Sequence, residues 1–287
     1  MADDRIRFED PRTALKRHGY VPKHSFGQNF LVSEKAVAAI VRAAVPPTDE
    51  LKRVIEIGPG VGTLTAALLS VGAEVLAIER DRDMCVALRV DFSETPGFRL
   101  MEADAAKVDY AEILKEGKQV IAGNLPYQLT GRLLRAIIDV APLVVRAVVM
   151  VQEEVAYRLA APAGDSHRGA LSVIIQSRFD VNTVIRLKPT AFHPPPKVRS
   201  TVISLTPRSA PLFETPADGK PFDRLVNAAF ANRRKTIRNS LAAAGWGTAS
   251  HIEAMLAEAE ISPGIRAERL LEADFLRLLS VWRRSAR

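Results

Sequence analysis

The feature that most constrains the fold is an alternation, between residues 53 and 151, of short apolar runs with longer amphipathic stretches. The runs have the length and β-branched content of buried strands, and the stretches between them have helical periodicity. Strands are predicted at 53–58, 74–79, 98–104, 119–124 and 146–151, with helices at 63–71, 82–91 and 129–140. This alternation predicts an α/β domain with an open, mostly parallel sheet and helices on both of its faces.

Further elements flank this core on both sides. The pattern predicts a helix over 33–45 with Ser33 as its N-cap, a helix at 169–179, and strands at 181–187 and 200–205. The last two strands have no helix between them, which favours an antiparallel pair at the sheet edge. Residues 206–223, with scattered Pro and Gly, indicate a linker, and helices follow at 221–231, 233–244, 249–259 and 267–282. We therefore predict domains at 1–207 and 208–287, the first beginning with a flexible tail over 1–22.

Composition narrows the classes of protein to consider. The 287 residues include one cysteine, Cys85, which excludes a disulfide framework, and five scattered histidines without ligand spacing. We expect no catalytic metal. The sequence has no apolar leader and no apolar run of about 18 residues, so we expect a soluble, cytoplasmic protein and, by default, a monomer.

Charge favours a polyanionic partner. The formal net charge is +7, and residues 208–287 carry 13 Lys/Arg against 9 Asp/Glu, so more than half of the excess lies near the C-terminus. Lysine and arginine attract phosphates and release their counterions, although a mildly basic enzyme without a nucleic-acid partner has the same balance.

A glycine-rich turn follows the first strand. Residues 54–65 predict a strand, then Gly58-x-Gly60-x-Gly62, then a helix, and Thr63 stands where a dinucleotide fingerprint would have its third glycine. The G-x-G-x-G spacing is instead typical of S-adenosylmethionine binding. Glu79 ends the second strand, where its carboxylate can accept both ribose hydroxyls of an adenosine. The alternative is a tight turn next to a solvated carboxylate.

Polar residues also close the next two strands. Asp104 ends the third strand, where it can accept from the exocyclic amine of adenine or can instead cap the following segment. Asn124 ends the strand after that. Ligands of open α/β sheets lie beyond the carboxyl ends of the strands, so Gly58, Glu79, Asp104 and Asn124 are expected to converge on one site.

The stretch Asn124-Leu125-Pro126-Tyr127 has the chemistry of a pocket for an amino-purine. The lone pair of a purine amine is delocalised into the ring, so an enzyme that transfers a group to it must hold the amine hydrogens with acceptors. The Asn124 side-chain oxygen and the Leu125 carbonyl supply two acceptors, Pro126 stiffens the turn, and Tyr127 offers a ring on which a splayed base can stack. The alternative is a capping Asn and a core Tyr.

From residue 23 to about 280, the sequence resembles the bacterial small-subunit ribosomal RNA adenine N6,N6-dimethyltransferases, within the rRNA adenine dimethylase family. The motifs that carry the resemblance are "HSFGQNFL" (24–31), "EIGPGVGTLT" (56–65), "GNLPY" (123–127), "FHPPPKVRSTV" (192–202) and "FANRRKTIRNSL" (230–241). It implies a Rossmann-like class I methyltransferase domain followed by a small all-helical domain. Two departures are Ala103, where the family often has Gly, and Arg199, where an acidic residue is common.

The resemblance also implies roles for individual residues. The cofactor S-adenosyl-L-methionine is expected to contact Asn29, Leu31, Gly58, Gly60, Glu79, Asp104 and Asn124. The target base is expected to meet Asn124, Leu125, Pro126 and Tyr127, with Phe192 covering its other face. RNA contacts are expected from Arg233, Arg234, Lys235 and Arg238 on one helix face, for which the alternative is a solvated charged face. Weaker candidates for the same contacts are Lys197, Arg199, Lys23 and His24.

The implied activity is dimethylation of the N6 amines of two adjacent adenosines near the 3′ end of 16S rRNA. The partner would be the 30S ribosomal subunit during ribosome biogenesis. Three alternatives remain: a relative that dimethylates large-subunit rRNA and confers macrolide resistance, a DNA adenine methyltransferase, and an assembly factor that only binds immature subunits. The "PPPKV" motif argues against the first, and Asn124 against the second, because those enzymes usually have Asp there. The intact "NLPY" motif argues against the third as the sole function.

Overall fold

The chain divides into two compact units, and a mostly parallel sheet forms the centre of the first. The computed structural model describes residues 6–23, 27–49, 52–209, 212–213 and 219–285. The first unit comprises the chain up to Ala156 together with Val181–Pro207, and the second comprises Tyr157–Asp180 and the chain from Arg208 onward. Residues 157–180, which the sequence assigned to the first domain, thus group with the C-terminal helices.

The first unit contains a two-stranded ribbon and a seven-stranded sheet. The strands are β1 Phe30–Leu31, β2 Arg53–Ile57, β3 Glu74–Glu79, β4 Phe98–Glu102, β5 Gln119–Asn124, β6 Val144–Gln152, β7 Phe179–Leu187, β8 Phe192–His193 and β9 Ser200–Pro207. The sheet order is β4-β3-β2-β5-β6-β9-β7, parallel from β4 to β6, with β9 antiparallel to β6. The predicted fold class is confirmed, and β7 and β9 are neighbours at one edge.

The central strands pair closely because of a glycine. Ile57 of β2 is opposite Gly123 of β5, and a Cβ built on Gly123 would lie 2.3 Å from the Ile57 carbonyl oxygen. The φ of Gly123 is 155°, at the edge of the region that side chains disfavour. Only glycine therefore fits at the point where β5 turns into the Asn124 segment.

Several helices begin among the described residues of the first unit. They are α1 Pro11–His18, α2 Glu34–Ala44, α3 Thr63–Ser70, α4 Arg82–Phe92, α5 Tyr110–Ile113, α6 Thr130–Asp139 and α7 Glu153–Ala160, and the last of these continues into the second unit. The predicted N-cap of α2 is confirmed, since the Ser33 hydroxyl accepts from the Ala36 amide at 3.3 Å. Helices α2 and α3 bury apolar faces in the same core cluster as β2, β3 and β5.

Residues 11–18, which the sequence assigned to a flexible tail, form a docked helix instead. Asp10 caps α1 by accepting from the Arg12 amide, and Leu15, 3% exposed, packs in a cluster with Phe30 and Met84. The Arg17 guanidinium pairs with Asp91 of α4 at 2.7 Å. A single buried leucine in a charged segment gives a weak periodic signal, which explains why the sequence pattern missed this helix.

The second unit is helical among its described residues, apart from the first two residues of β7. Its helices are α8 Ala170–Gln176, α9 Gly219–Phe230, α10 Ile237–Ala243, α11 Ala249–Glu258 and α12 Glu272–Ser285, with the end of α7. Phe275 of α12 lies at the centre of its core, with ring centroids 6.3 Å from Phe222 and 6.2 Å from Phe230, both of α9. The predicted helix over 233–244 starts only at Ile237, because Thr236 caps it and residues 231–236 form turns.

The linker expected at 206–223 falls on a segment that is only partly described. Strand β9 extends to Pro207 and α9 begins at Gly219, so most of the expected linker at 206–223 lies outside the described residues or inside these elements. Within the described ranges, no helix is both long and apolar enough to cross a membrane.

We expect Gly123→Ala to destabilise the fold, and Gly131→Ala to serve as its matched control. The added methyl at position 123 overlaps backbone of β2, which should cost about 2 kcal/mol or more of unfolding free energy. At position 131, on α6, nothing lies within 4 Å of the added atom, so alanine should be neutral or stabilising by up to ~1 kcal/mol. Urea unfolding of both variants measures this. Equal stability of the two would contradict the tight β2–β5 contact.

Candidate active site and cofactor pocket

One pocket lies at the carboxyl ends of β2, β3, β4 and β5. Ten of the eleven residues predicted to contact cofactor or base line it, namely Asn29, Leu31, Gly58, Gly60, Glu79, Asp104, Asn124, Leu125, Pro126 and Tyr127. The four strands are parallel and adjacent, so the residues that follow them meet at one edge, as the sequence pattern predicted.

The glycine-rich turn between β2 and α3 forms one wall of this pocket. Gly58, Gly60 and Gly62 all have positive φ, at 65°, 59° and 86°. At Gly60 the need for glycine is also steric, because a Cβ there would lie 2.8 Å from the Phe30 ring. The turn can therefore bring its backbone close to a ligand without side chains intervening.

The Glu79 carboxylate is held in place by backbone amides. Its Oε1 accepts from the amides of Arg80 and Asp81 at 2.8 and 2.9 Å, and its Oε2 accepts from Gly60 at 3.2 Å. The side chain is 9% exposed, and burial raises its pKa, while the three amide hydrogen bonds oppose that rise. A carboxylate oxygen has room for more than one donor, so Oε2 can also accept from a ligand hydroxyl.

Asp104 lies two residues beyond the end of its strand. Strand β4 ends at Glu102, not at 104 as the pattern predicted, and Asp104 sits in the following turn. Its Oδ1 accepts from the Ala106 amide at 3.0 Å, so the capping role considered for it is real. Its Oδ2 has no donor among the described residues, which leaves one acceptor for a ligand at the pocket wall.

The Asn124 amide is fixed by a single hydrogen bond. Its Nδ2 donates to the carbonyl of Asn29 at 2.9 Å. With the nitrogen used in this way, the Oδ1 atom is the free end of the amide, and none of the described residues donates to it. The Leu125 amide donates to the Met150 carbonyl at 3.2 Å, and the Leu125 carbonyl likewise has no described donor. Both residues line the pocket, so its wall includes two acceptors without a donor among the described residues.

Tyr127 is anchored through its hydroxyl. It begins a short 3-10 turn over Tyr127–Leu129 that follows Pro126, whose φ is −57°. The hydroxyl lies 2.7 Å from Oγ of Ser200, a fully buried residue of β9, and burial raises the pKa of Tyr127. The ring remains half-buried at the pocket wall, so its orientation is fixed while part of it stays accessible.

The segment that carries Asn29 and Leu31 is held from two directions. Strand β1 pairs with β8, so that Leu31 is opposite Phe192. Gln28 and Lys23 both bind the Asp81 carboxylate, at 2.7 Å each. Lys23, considered for phosphate contact, is therefore engaged with Asp81, and it also pairs with Asp83. His24 lies outside the described residues.

Phe192 is the one predicted base-contacting residue that does not line the pocket. It is 4% exposed and packs in the main core cluster of the first unit. Its role over the second face of the base stays a prediction. Lys197 and Arg199 follow it in the proline-rich segment and are both exposed.

The basic residues of the second unit do not share one helix face. Arg233, Arg234 and Lys235 are exposed in the turn after α9, whereas Arg238 lies on α10 and pairs with Glu253 of α11. The sequence pattern predicted one continuous helix here and missed the capping role of Thr236. Arg238 is thus less available to phosphates than its three neighbours.

Glu56 is a pocket residue that sequence reasoning missed. It is 1% exposed in the middle of β2, lines the pocket, and accepts from the Thr65 hydroxyl at 2.6 Å. Burial raises its pKa to about 8, and the negative charge of Glu79 adds to the rise. The signal was present, because a carboxylate between two isoleucines of a buried strand is rare without a reason.

The donor and acceptor set fits an S-adenosylmethionine-type ligand. Its adenosine offers hydrogen-bond donors from two ribose hydroxyls and an amine, and the pocket offers acceptors on Glu79 and Asp104. Its positively charged sulfonium and ammonium suit a pocket whose two most buried ionisable groups are the acids Glu56 and Glu79. Among the described residues, no group of three or more His, Cys, Asp or Glu side chains is arranged to hold a metal ion.

Comparison with known proteins adds the decisive observation. The sequence model of a family described as ribosomal RNA adenine dimethylase matches residues 21–283. The chain belongs to this family. As a ribosomal RNA adenine dimethylase it is an S-adenosylmethionine-dependent methyltransferase, and the pocket described above is the candidate site for that cofactor.

Individual relatives of this dimethylase agree in fold and length. The Ribosomal RNA small subunit methyltransferase A of Myxococcus xanthus (strain DK1622) is 43% identical over 268 residues, or 93% of each chain. The crystal structure of a dimethyladenosine transferase from Plasmodium falciparum superposes with a TM-score of 0.73 at 26% identity, over 90% of this chain and 98% of that one. The crystal structure of the 23S rRNA methyltransferase ErmE gives 0.67 at 27% identity, over 89% and 100%.

We expect the stability of the cofactor-free dimethylase to depend on pH through Glu56. The pKa of this carboxyl is about 8 in the folded chain against an ordinary 4.5, so the folded state holds an extra proton between these values. As the pH rises through this range, the unfolded state releases its proton while the folded state keeps it, so the free energy of unfolding falls. The free energy of unfolding of Glu56→Gln should therefore rise relative to that of the wild type by at most about 1.4 kcal/mol per pH unit across this window.

Denaturant unfolding from about pH 5 to pH 9 measures the effect. The matched control is Glu74→Gln, an exposed carboxylate on β3, which should follow the wild type at every pH. If the unfolding free energies of the wild type and Glu56→Gln changed in parallel with pH, the pKa of Glu56 would be the same in the folded and unfolded chains, and the prediction would be wrong.

Proposed function

We propose that this dimethylase transfers two methyl groups to the N6 amine of each of two adjacent adenosines near the 3′ end of 16S rRNA. Its partner is the 30S ribosomal subunit during ribosome biogenesis, and it acts as a cytoplasmic monomer. The observation that carries the proposal is the fixed Asn124 amide. Its nitrogen is bound to Asn29, so its oxygen and the Leu125 carbonyl form an acceptor pair beside the cofactor pocket.

This acceptor pair addresses the chemical difficulty of the reaction. The target amine is planar, and its lone pair is shared with the purine ring. Two acceptors that bind both amine hydrogens favour a geometry in which the lone pair leaves the ring plane and becomes nucleophilic. Bound S-adenosylmethionine supplies a methyl group on a sulfonium. The chain contributes positioning and fixed dipoles and needs no general base with a shifted pKa.

The rest of the target site supports the same reaction. The Tyr127 ring is oriented by Ser200 and stays half-buried, as a stacking surface for a splayed base requires. Pro126 restricts the backbone conformation of the turn that carries the Tyr127 ring. We assign the other face of the base to Phe192, on the family resemblance alone.

Small-subunit rRNA is favoured over large-subunit rRNA by the comparisons. The relative at 43% identity over nearly the whole chain is named a small subunit methyltransferase, whereas the 23S rRNA methyltransferase ErmE shares 27%. Contacts with rRNA phosphates are assigned to Arg233, Arg234, Lys235, Arg238, Lys197 and Arg199. Cations of this kind bind without reading sequence, so RNA shape must select the target.

Substrate choice is tested by labelled methyl transfer to unmethylated small subunits, large subunits and duplex DNA in parallel. We expect label only in the small subunit, recovered as dimethyladenosine near the 3′ end of its RNA. Label in large-subunit RNA would instead place the protein with the relatives that dimethylate large-subunit rRNA and confer macrolide resistance. Absence of label with binding to immature subunits retained would make assembly its primary role.

The role of the acceptor pair is tested by Asn124→Ala. We expect methyl transfer to fall by at least about 100-fold, because the amine loses an oriented acceptor, while cofactor affinity measured by calorimetry falls much less, because Asn124 is one of seven expected cofactor contacts. Tyr127→Phe is the matched control in the same turn, since it keeps the ring and removes only the hydroxyl bound to Ser200. It should retain transfer to within about tenfold. Normal turnover in Asn124→Ala would refute the assignment.

A further inference from the structure

An exposed pair of rings in the second unit has no part in the site described so far. Tyr157 is 51% exposed, and the side chain of His167 is 55% exposed. The two ring centroids lie 4.9 Å apart with the planes at 86°, an edge-to-face arrangement. Tyrosine combines a large apolar ring with a polar group, and it is enriched at binding surfaces for this reason.

A single carboxylate holds both rings. Asp165 Oδ2 accepts from the Tyr157 hydroxyl at 2.9 Å, and Asp165 Oδ1 lies 3.0 Å from Nδ1 of His167. The same Oδ1 accepts from the His167 amide at 2.7 Å. These hydrogen bonds keep the pKa of Asp165 below its ordinary value, so the carboxylate stays charged and the rings stay in place at neutral pH.

The loop that carries Asp165 and His167 is itself anchored within the second unit. The Gly164 amide donates to the Glu268 carbonyl at 2.8 Å. Arg168, 1% exposed, forms an ion pair and hydrogen bond with Glu272 of α12. A loop fixed at both ends presents its rings with little conformational entropy left to lose on binding.

A cation of the turn after α9 is hydrogen-bonded to the loop that carries His167. The Arg233 guanidinium donates to the carbonyl of Ser166, the residue before His167. Arg234 and Lys235 follow in the same turn, are exposed, and have no ion-pair partner among the described residues. Stacking rings beside unpaired cations are the combination with which proteins hold single-stranded nucleic acid.

We propose that Tyr157 and His167 form a stacking platform for an unpaired rRNA base whose neighbouring phosphates contact the turn Arg233–Lys235. This contact is additional to the target adenine, and it rests on the proposed function, which supplies the RNA. The platform provides sequence-tolerant affinity, because every base has a ring face. The cations provide the part of the affinity that depends on salt concentration.

The test compares the affinities of full-length variants for unmethylated small subunits at several salt concentrations. Tyr157→Ala should weaken binding about 10-fold or more, with an unchanged slope of log affinity against log salt, because stacking releases no counterions. His167→Ala should weaken binding in the same way. Lys235→Ala should instead reduce the slope by about 1.

Two control variants isolate the ring. Tyr157→Phe removes the hydrogen bond to Asp165 but keeps the ring, so it should bind within about threefold of wild type. Val90→Ala, at an exposed site on α4, should have no effect. Thermal unfolding and cofactor affinity, both expected to match wild type, check that each variant is folded.

The outcomes separate this proposal from the one on which it rests. Wild-type methyl transfer to small subunits, together with unchanged binding by Tyr157→Ala, would overturn the platform and leave the function standing. Equal losses in Tyr157→Phe and Tyr157→Ala would also overturn it, because the hydrogen bond and not the ring would then matter. If the wild type neither transfers a methyl group to small subunits nor binds them, the proposed function fails, and the rRNA occupant fails with it.

Discussion

The close pairing of β2 and β5 is the constraint on which the site depends. Because Gly123 lets the two strands approach, the residues that leave them emerge side by side: Gly58 from one and Asn124 from the other. The atom that a side chain on Gly58 would add lies only 3.7 Å from the Asn124 carbonyl oxygen. The glycine turn and the Asn124 segment are therefore neighbours by strand register.

Electrostatics add a second layer to this geometry. Glu56 and Glu79 are both buried beside the pocket, and burial raises the pKa of both. Two acids in a low-dielectric wall are costly in an empty pocket and favourable next to a cation. A cofactor that arrives with a sulfonium charge and leaves without it interacts differently with this wall before and after transfer.

The sequence predicted what short-range patterns encode. The central strands, the glycine turn and the ten pocket residues follow from apolar periodicity and from the rule that parallel strands end at one edge. What it missed depends on contacts distant in sequence. Helix α1 is held by contacts with residues distant in sequence, such as the packing of Leu15 on Phe30 and Met84, and the grouping of residues 157–180 with the C-terminal helices arises from packing alone. The turn at 231–236 was a local error, because charged residues have good helix propensity and concealed the cap at Thr236.

The ribbon of β1 and β8 has a consequence for the order in which the site forms during synthesis. Phe30 pairs with His193, so the segment that fixes Asn124 through the Asn29 carbonyl lacks its strand partner until most of the first unit has been translated. Ser200, which orients Tyr127, emerges later still. A nascent chain that already has its central strands therefore has a glycine turn but no ordered target site. The segment of Asn29 and the ring of Tyr127 therefore gain their partners from β8 and β9 only late in translation of the first unit.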